Sequence, residues 1–369
     1  MKYNKMIPWA KPKIFLSEKI NLNKALNSSW ISGGNYIDKF ENKISRKLKI
    51  KYVSSVSNGT AALHSAFLSL NLKRGDEIII PGFGYLAAAN ISYLMELKIK
   101  FADVNIQNFC LDYEHLKKLI TSKTKAVVFI HTYGNSGDIQ KISSLLKKKK
   151  IYLIEDAAEA FGTKVNNKYA GTFGDIGTFS FHATKNITTG EGGCIITNNK
   201  KIYENVNLYK NHGVKNKRYY HIVPGHNFRL TNLQAALGYS QMNHLNEIIK
   251  KRKLLYYEYL KAFNKFKNFN LSFQKINKSN NFVPWTLAIY LKDSSEQKRD
   301  KIINEMKKKG IETRNGFYCP QKLKMYKNIK KLNNSLHLSN RVICLPLFYE
   351  LTKKEINKIV NVFNKILNN

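Results

Sequence analysis

Lys185 is the residue of this chain best placed for covalent chemistry. It lies in Ser180-Phe181-His182-Ala183-Thr184-Lys185-Asn186-Ile187-Thr188-Thr189-Gly190-Glu191-Gly192-Gly193. The run from Ile176 to Phe181 reads as a buried strand and that from Gly192 to Thr197 as the next one. The lysine therefore falls in a constrained strand-to-strand connection, where binding and catalytic groups collect. An amine held there can form a Schiff base with a carbonyl compound. With 62 Lys and Arg in the chain, a lysine alone means little, and the surrounding segment is what singles it out.

Two further segments supply what such an amine needs. Ile151-Tyr152-Leu153-Ile154-Glu155-Asp156-Ala157-Ala158-Glu159 is an apolar run ending in acids, read as a parallel strand whose carboxyl end presents Asp156. Ligands of open α/β sheets bind at that edge. A lysine for the Schiff base and a carboxylate for a pyridine nitrogen are what pyridoxal phosphate (PLP) chemistry asks of a protein. The plainer reading of Asp156 is a helix cap after a strand. Val53-Ser54-Ser55-Val56-Ser57-Asn58-Gly59-Thr60-Ala61-Ala62-Leu63-His64 reads as strand, glycine turn and helix start, whose amides could cradle a phosphate. The same letters also make an ordinary capped turn.

The elements that must position these residues follow from the pattern. Short apolar runs at Asp76 to Ile80, Lys98 to Val104 and Ala126 to Ile130 alternate with helical segments, which predicts an α/β, doubly wound sheet. A lysine-rich amphipathic helix from Ile248 to Phe266 reads as a bridge to a second part. That part mixes a strand, Thr286 to Leu291, with helices at Glu296 to Lys309 and Lys353 to Leu367. At 369 residues the chain exceeds one core. The expected division is a large domain with an N-terminal arm, 1–245, and a smaller α+β domain, 246–369.

The formal charge of +37 invites a nucleic-acid reading. Yet the lysines are dispersed, as in Lys147 to Lys150 and Lys307 to Lys309, and no reading module accompanies them. A basic surface also steers anionic small molecules. Cys110, Cys194, Cys319 and Cys344 form no CxxC pair and read as reduced thiols of a cytoplasmic protein. No signal peptide or membrane-length apolar run is present. His64 and His131 lie on apolar stretches and read as core histidines, so no metal is expected.

Taken together, these segments resemble the DegT/StrS-type nucleotide-sugar aminotransferases of PLP fold type I, and most of all their perosamine-synthase-like branch. The resemblance runs through Ser29 to Ile37 with Phe40-Glu41, Ser57 to His64, Glu155 to Gly162 and Gly171 to Asp175. It continues in the Lys185 segment, Gly225 to Ala236, Gly310 to Arg314 and Leu345-Pro346. It implies a mainly parallel, seven-stranded sheet in the large domain. It also implies that Lys185 carries the Schiff base, with pyridoxamine phosphate as the alternate cofactor form, and that Asp156 holds the pyridine nitrogen. Asn58, Gly59, Thr60, Ala61 and Ser180 match the phosphate site. Tyr85 matches an aromatic that stacks on the ring, although core packing is its plainer reading. Glu159 stands where glutamine is common beside the ring hydroxyl, so its carboxylate must be protonated or turned away. His182 matches a helper beside the lysine. Asn227 and Arg229 match residues donated across a homodimer interface, the first to the phosphate and the second to a carboxylate or substrate anion, and Arg314 matches a substrate position.

The chain departs from the resemblance at Phe317-Tyr318-Cys319-Pro320-Gln321-Lys322, where Lys322 replaces a customary histidine. An ammonium suits phosphate better than sugar hydroxyls. Two acceptors follow: a nucleotide-linked 4-keto-6-deoxyhexose for surface polysaccharide, or a smaller phosphorylated ketone such as dihydroxyacetone phosphate. Glutamate is the expected donor. A sugar dehydratase shares the fold but has histidine at the Schiff-base position, whereas Lys185 is present here. A non-catalytic PLP-binding regulator and a nucleic-acid binder are the rivals of other classes.

Overall fold

Short runs of β-branched residues can be buried on both faces only if they line up side by side beneath helices. The computed structural model, which describes residues 6–266, 270–326 and 329–368, shows this arrangement. Its strands are β1 (Tyr52–Val56), β2 (Glu77–Pro81), β3 (Lys98–Ala102), β4 (Thr124–Ile130), β5 (Tyr152–Asp156), β6 (Lys164–Val165), β7 (Lys168–Tyr169), β8 (Ile176–Ser180), β9 (Gly193–Thr197), β10 (Leu271–Phe273), β11 (Asn280–Asn281), β12 (Leu287–Leu291), β13 (Arg314–Asn315) and β14 (Val342–Leu345). Among the described residues, seven form the central sheet in the order β1-β9-β8-β5-β4-β2-β3. Strands β8, β5, β4, β2 and β3 run parallel, and β9 runs against both its neighbours. The sheet is mainly parallel, as expected.

Alternate side chains of one strand feed different cores. Ile78 and Ile80 join Val128 under the helices Gly59–Ser69 and Ala87–Leu94, whereas Ile79 joins Val127 and Phe129 against the helix Ile139–Lys149. The C-terminal part has its own antiparallel sheet, β10-β12-β14-β13, packed on the helices Glu296–Lys308 and Lys353–Leu367. One helix, Asn232–Phe263, runs between the two layers. Periodicity predicts its start near Ile248, too late. It begins at Asn232 because Thr231 accepts from the Gln234 amide at 3.3 Å while the Gln234 side chain accepts from the Thr231 amide at 3.0 Å, a capping box. Its early turns pack on the helices Leu16–Asn27 and Asn35–Leu48, and its later turns enter the core of the small sheet. Ile7 also belongs to that second core, pairing with Ile311.

Period two along β5 turns Glu155 and Asp156 to opposite faces. Glu155 is fully buried and accepts from His131 Nε2 at 2.9 Å and from the amides of Gly171 and Gly174 at 2.8 and 2.6 Å. His131 Nδ1 lies 3.0 Å from Ser136 Oγ, so this histidine is a satisfied core residue, as expected. Removing the Glu155 carboxylate leaves the Gly171 and Gly174 amides and His131 Nε2 unpaired. Glu155→Ala is expected to lower unfolding stability by about 3 kcal/mol, read from the urea midpoint at constant m value.

Candidate active site

The hairpin of β8 and β9 carries Lys185, and the carboxyl end of β5 carries Asp156 and the turn to Glu159. Since β5 and β8 are paired neighbours, one amine and two carboxylates meet at one sheet edge. Lys185 Nζ lies 3.6 Å from Glu159 Oε1 and 4.0 Å from the ring centroid of Trp285. Glu159 Oε2 accepts the Tyr133 amide at 2.7 Å. The backbone of Tyr133 takes a left-handed conformation, φ +57°, which aims that N–H inward. Asp156 is buried and accepts one hydrogen bond, from the Ala158 amide at 3.1 Å.

Burial governs the protonation of all three groups. It pushes the Glu159 carboxyl up to about 7, against Lys185 and the Tyr133 amide, which pull it down. Asp156 is raised above the usual carboxylate range, chiefly by burial and despite the Ala158 amide and Lys185. Burial lowers Lys185 below its ordinary value, while Glu159 and Asp156 oppose that shift. Glu159 is thus partly protonated near neutral pH, with its two oxygens toward Lys185 and the Tyr133 amide.

Asn58 caps the helix Gly59–Ser69 by accepting from the Ala61 amide at 2.8 Å. Ala61, expected among the phosphate donors, therefore has its amide engaged. The amides of Gly59 and Thr60 precede the first intrahelical bond and remain to serve an anion. Ser180 stands against them, and a Cβ on Gly59 would come within 2.9 Å of Ser180 Cβ.

The other expected residues stand apart from this cluster. Tyr85 is 64% exposed, edge-on to Phe317 at 6.3 Å, which corrects the core-packing reading. The His182 ring engages its own loop: Nδ1 faces Thr184 Oγ1 at 2.9 Å and Nε2 faces Glu191 at 3.6 Å. Asn227 and Arg229 form an exposed pair, Arg229 bridging Val56 of β1 and Asn227 bridging Asn211, with Arg229 Nε donating to Asn227 Oδ1 at 3.0 Å. Lys322 pairs with Glu296 and donates to Asn340 at 2.8 Å, so its ammonium is engaged within the C-terminal layer. Arg314 pairs with Glu312.

The sequence reading passed over Trp285, Tyr133 and Arg252. The buried Arg252 donates to the carbonyls of Pro284, Trp285 and Leu347 at 3.2, 3.0 and 3.1 Å. It also lines a cavity beside Lys185 together with Lys11, Lys13 and Tyr349. The two lysines were hidden by the abundance of their own residue type. Among the described residues no cluster of metal-ligating groups occurs, and no helix is long and apolar enough to cross a membrane.

A lysine grouped with buried acids at the carboxyl edge of a doubly wound sheet is what the PLP-dependent transaminases of fold type I require. The chain belongs to the DegT/DnrJ/EryC1/StrS aminotransferase family, whose pattern matches residues 14–364. A GDP-perosamine synthase of Escherichia coli O157:H7 is 37% identical over 98% of this chain and 98% of its own. One of Vibrio cholerae is 36% identical over 98% of this chain and 100% of its own. Among solved structures, Helicobacter pylori PseC, an aminotransferase involved in the biosynthesis of pseudoaminic acid, has a TM-score of 0.93 at 25% identity, covering 99% of this chain and 100% of that one.

The raised Glu159 makes stability depend on pH. Between its ordinary 4.5 and the folded value of about 7 the native state binds the extra proton, so its contribution is full at low pH and is lost as pH rises through 7. Glu159→Gln, neutral throughout, lacks this loss. From about pH 5 to about pH 8, the cofactor-free wild type is expected to lose about 3 kcal/mol relative to the variant, read from paired urea melts.

Proposed function

We propose that this transaminase moves the amino group of glutamate onto the keto carbon of a nucleotide-linked 4-keto-6-deoxyhexose, for a surface polysaccharide. The observation that carries the chemistry is the grouping of the half-buried Lys185 amine with the buried Glu159 and Asp156 carboxyls. The sugar is supported by likeness to the two GDP-perosamine synthases over 98% of the chain. Bound PLP supplies an electron sink through which an amino group passes from one carbon skeleton to another.

The residues present fit that group. Asp156 has one hydrogen bond where a buried carboxylate has room for more, and it is assigned to the ring nitrogen. Gly59 leaves a gap beside Ser180 that a side chain would fill, and the Gly59 and Thr60 amides with Ser180 Oγ are assigned to the phosphate. Tyr85 is exposed and free to lie on a ring face. Lys185 Nζ is the amine that binds the cofactor and moves the proton. Burial draws it toward the base, and the two carboxylates draw it toward the acid, so it can both take and return a proton. Glu159 in its protonated form would accept a ring hydroxyl beside it without repulsion. His182 braces the Lys185 loop. Asn227 and Arg229, an exposed pair beside β1 and Asn211, are assigned to the site of a second copy in a homodimer.

The smaller phosphorylated ketone depended on Lys322 as a free cation, and Glu296 and Asn340 already occupy that ammonium. We place the enzyme in the cytoplasm, which suits the four buried free cysteines. The long helix is taken as the seam between a large unit, 1–245, and a smaller one, 246–369.

With PLP added, the purified protein is expected to show a visible cofactor band that glutamate discharges and a GDP-linked 4-keto-6-deoxymannose restores. Lys185→Ala should slow glutamate discharge by about a hundredfold or more. A Lys185→Ala protein that transaminates normally would overturn the assignment of that amine. Restoration by dihydroxyacetone phosphate and not by the sugar nucleotide would overturn the substrate.

A further inference from the structure

Lys185 has a neighbour that no sequence pattern announces. Its Nζ lies over the face of Trp285, 4.0 Å from the ring centroid, one hundred positions along the chain. The indole is fixed from every side. Its Nε1 donates to the carbonyl of Thr184, the residue before Lys185, at 2.9 Å. Trp9 packs edge-on at 5.1 Å, Tyr133 lies nearly parallel at 6.2 Å, and the Trp285 carbonyl accepts from Arg252 at 3.0 Å. A tryptophan that only fills a core needs neither an N–H aimed at the lysine's own loop nor an ammonium over its face.

We propose that Trp285 is a positioning residue for Lys185: its ring face holds the charged amine beside Glu159 whenever that amine is not covalently engaged, and its Nε1 sets the loop that carries the lysine. The inference rests on the reading of Lys185 as the reacting amine. The groups that face this amine are Glu159, Asp156, Arg252 and the indole, and Lys11, Lys13 and Tyr349 line the cavity beside it. A ring quadrupole attracts the ammonium and not the neutral amine. Trp285 thus works with the two carboxylates and against burial and Arg252. The residue precedes β12 of the small sheet, so the C-terminal layer sets the protonation of a lysine carried by the large one.

The test is the pH profile of Lys185 reductive methylation in the cofactor-free full-length chain, read on its peptide by mass spectrometry. Trp285→Leu keeps the surroundings apolar but removes the ring face and the N–H. It is expected to lower the Lys185 midpoint by about one pH unit, with Trp285→Phe recovering most of the shift. A wild-type midpoint in Trp285→Leu would overturn the proposal. If the leucine variant does not fold, the native indole reports instead. The chain has three tryptophans, so Trp9→Phe with Trp30→Phe leaves Trp285 alone. Its emission should titrate at the Lys185 labelling midpoint and lose that step in Lys185→Met, and emission without such a step would overturn the proposal. Neither readout uses turnover, so the spectral test of Lys185 as the reacting amine stands separately.

Discussion

Two buried carboxylates at the end of β5 share their site with the half-buried amine of Lys185, and that grouping organises the rest of the structure. Each charge buried alone would be costly, and together they offset one another. The cluster holds one more acid than base, and burial resolves the excess by keeping a proton on Glu159 up to about pH 7. What remains is the Lys185 amine held between the Glu159 side chain and an indole, with Asp156 left short of hydrogen bonds for a cationic partner.

The sheet is built to present this group. Parallel strands bring their carboxyl ends to one edge, and the single reversed strand, β9, turns the connection after β8 back across that edge as a short hairpin. A right-handed crossover would have carried the chain away over a face of the sheet. Glu155, on the opposite face from Asp156, ties the turns at Gly171 and Gly174 beneath the strand. Adjacent letters of one strand thus divide between structure and chemistry.

Much of this was legible because it is local. The apolar runs before Asp156 and before Lys185 announce strands, and the capped turn at Asn58 announces a helix start, with both signals contained in about ten residues. The surroundings of the amine were not legible. Trp285 and Arg252 reach Lys185 from distant positions, and nothing in their neighbouring sequence marks them. Lys322 invited a phosphate role because its type is suggestive, but Glu296 neutralises it across the C-terminal layer. Tyr85 illustrates the opposite error, since aromatic abundance favours packing and the side chain stands in solvent. The start of the long helix was missed because its first turns lie among small and polar residues, where a cap and not periodicity sets the boundary.

The path of the N-terminal segment changes how the two layers can be parted. Ile7 exchanges backbone hydrogen bonds with Gly310 and Glu312 at 2.9 Å each, and Phe15 stacks on His244 of the long helix at 3.8 Å. The chain thus crosses between the layers as this strap and as the helix Asn232–Phe263, and crosses again where β11 pairs with β6. Such crossings form a closed belt, and a belt cut at one point still holds. A single nick in the helix would leave both layers tethered through the strap, so the small sheet is buckled to the large one at both ends of the seam.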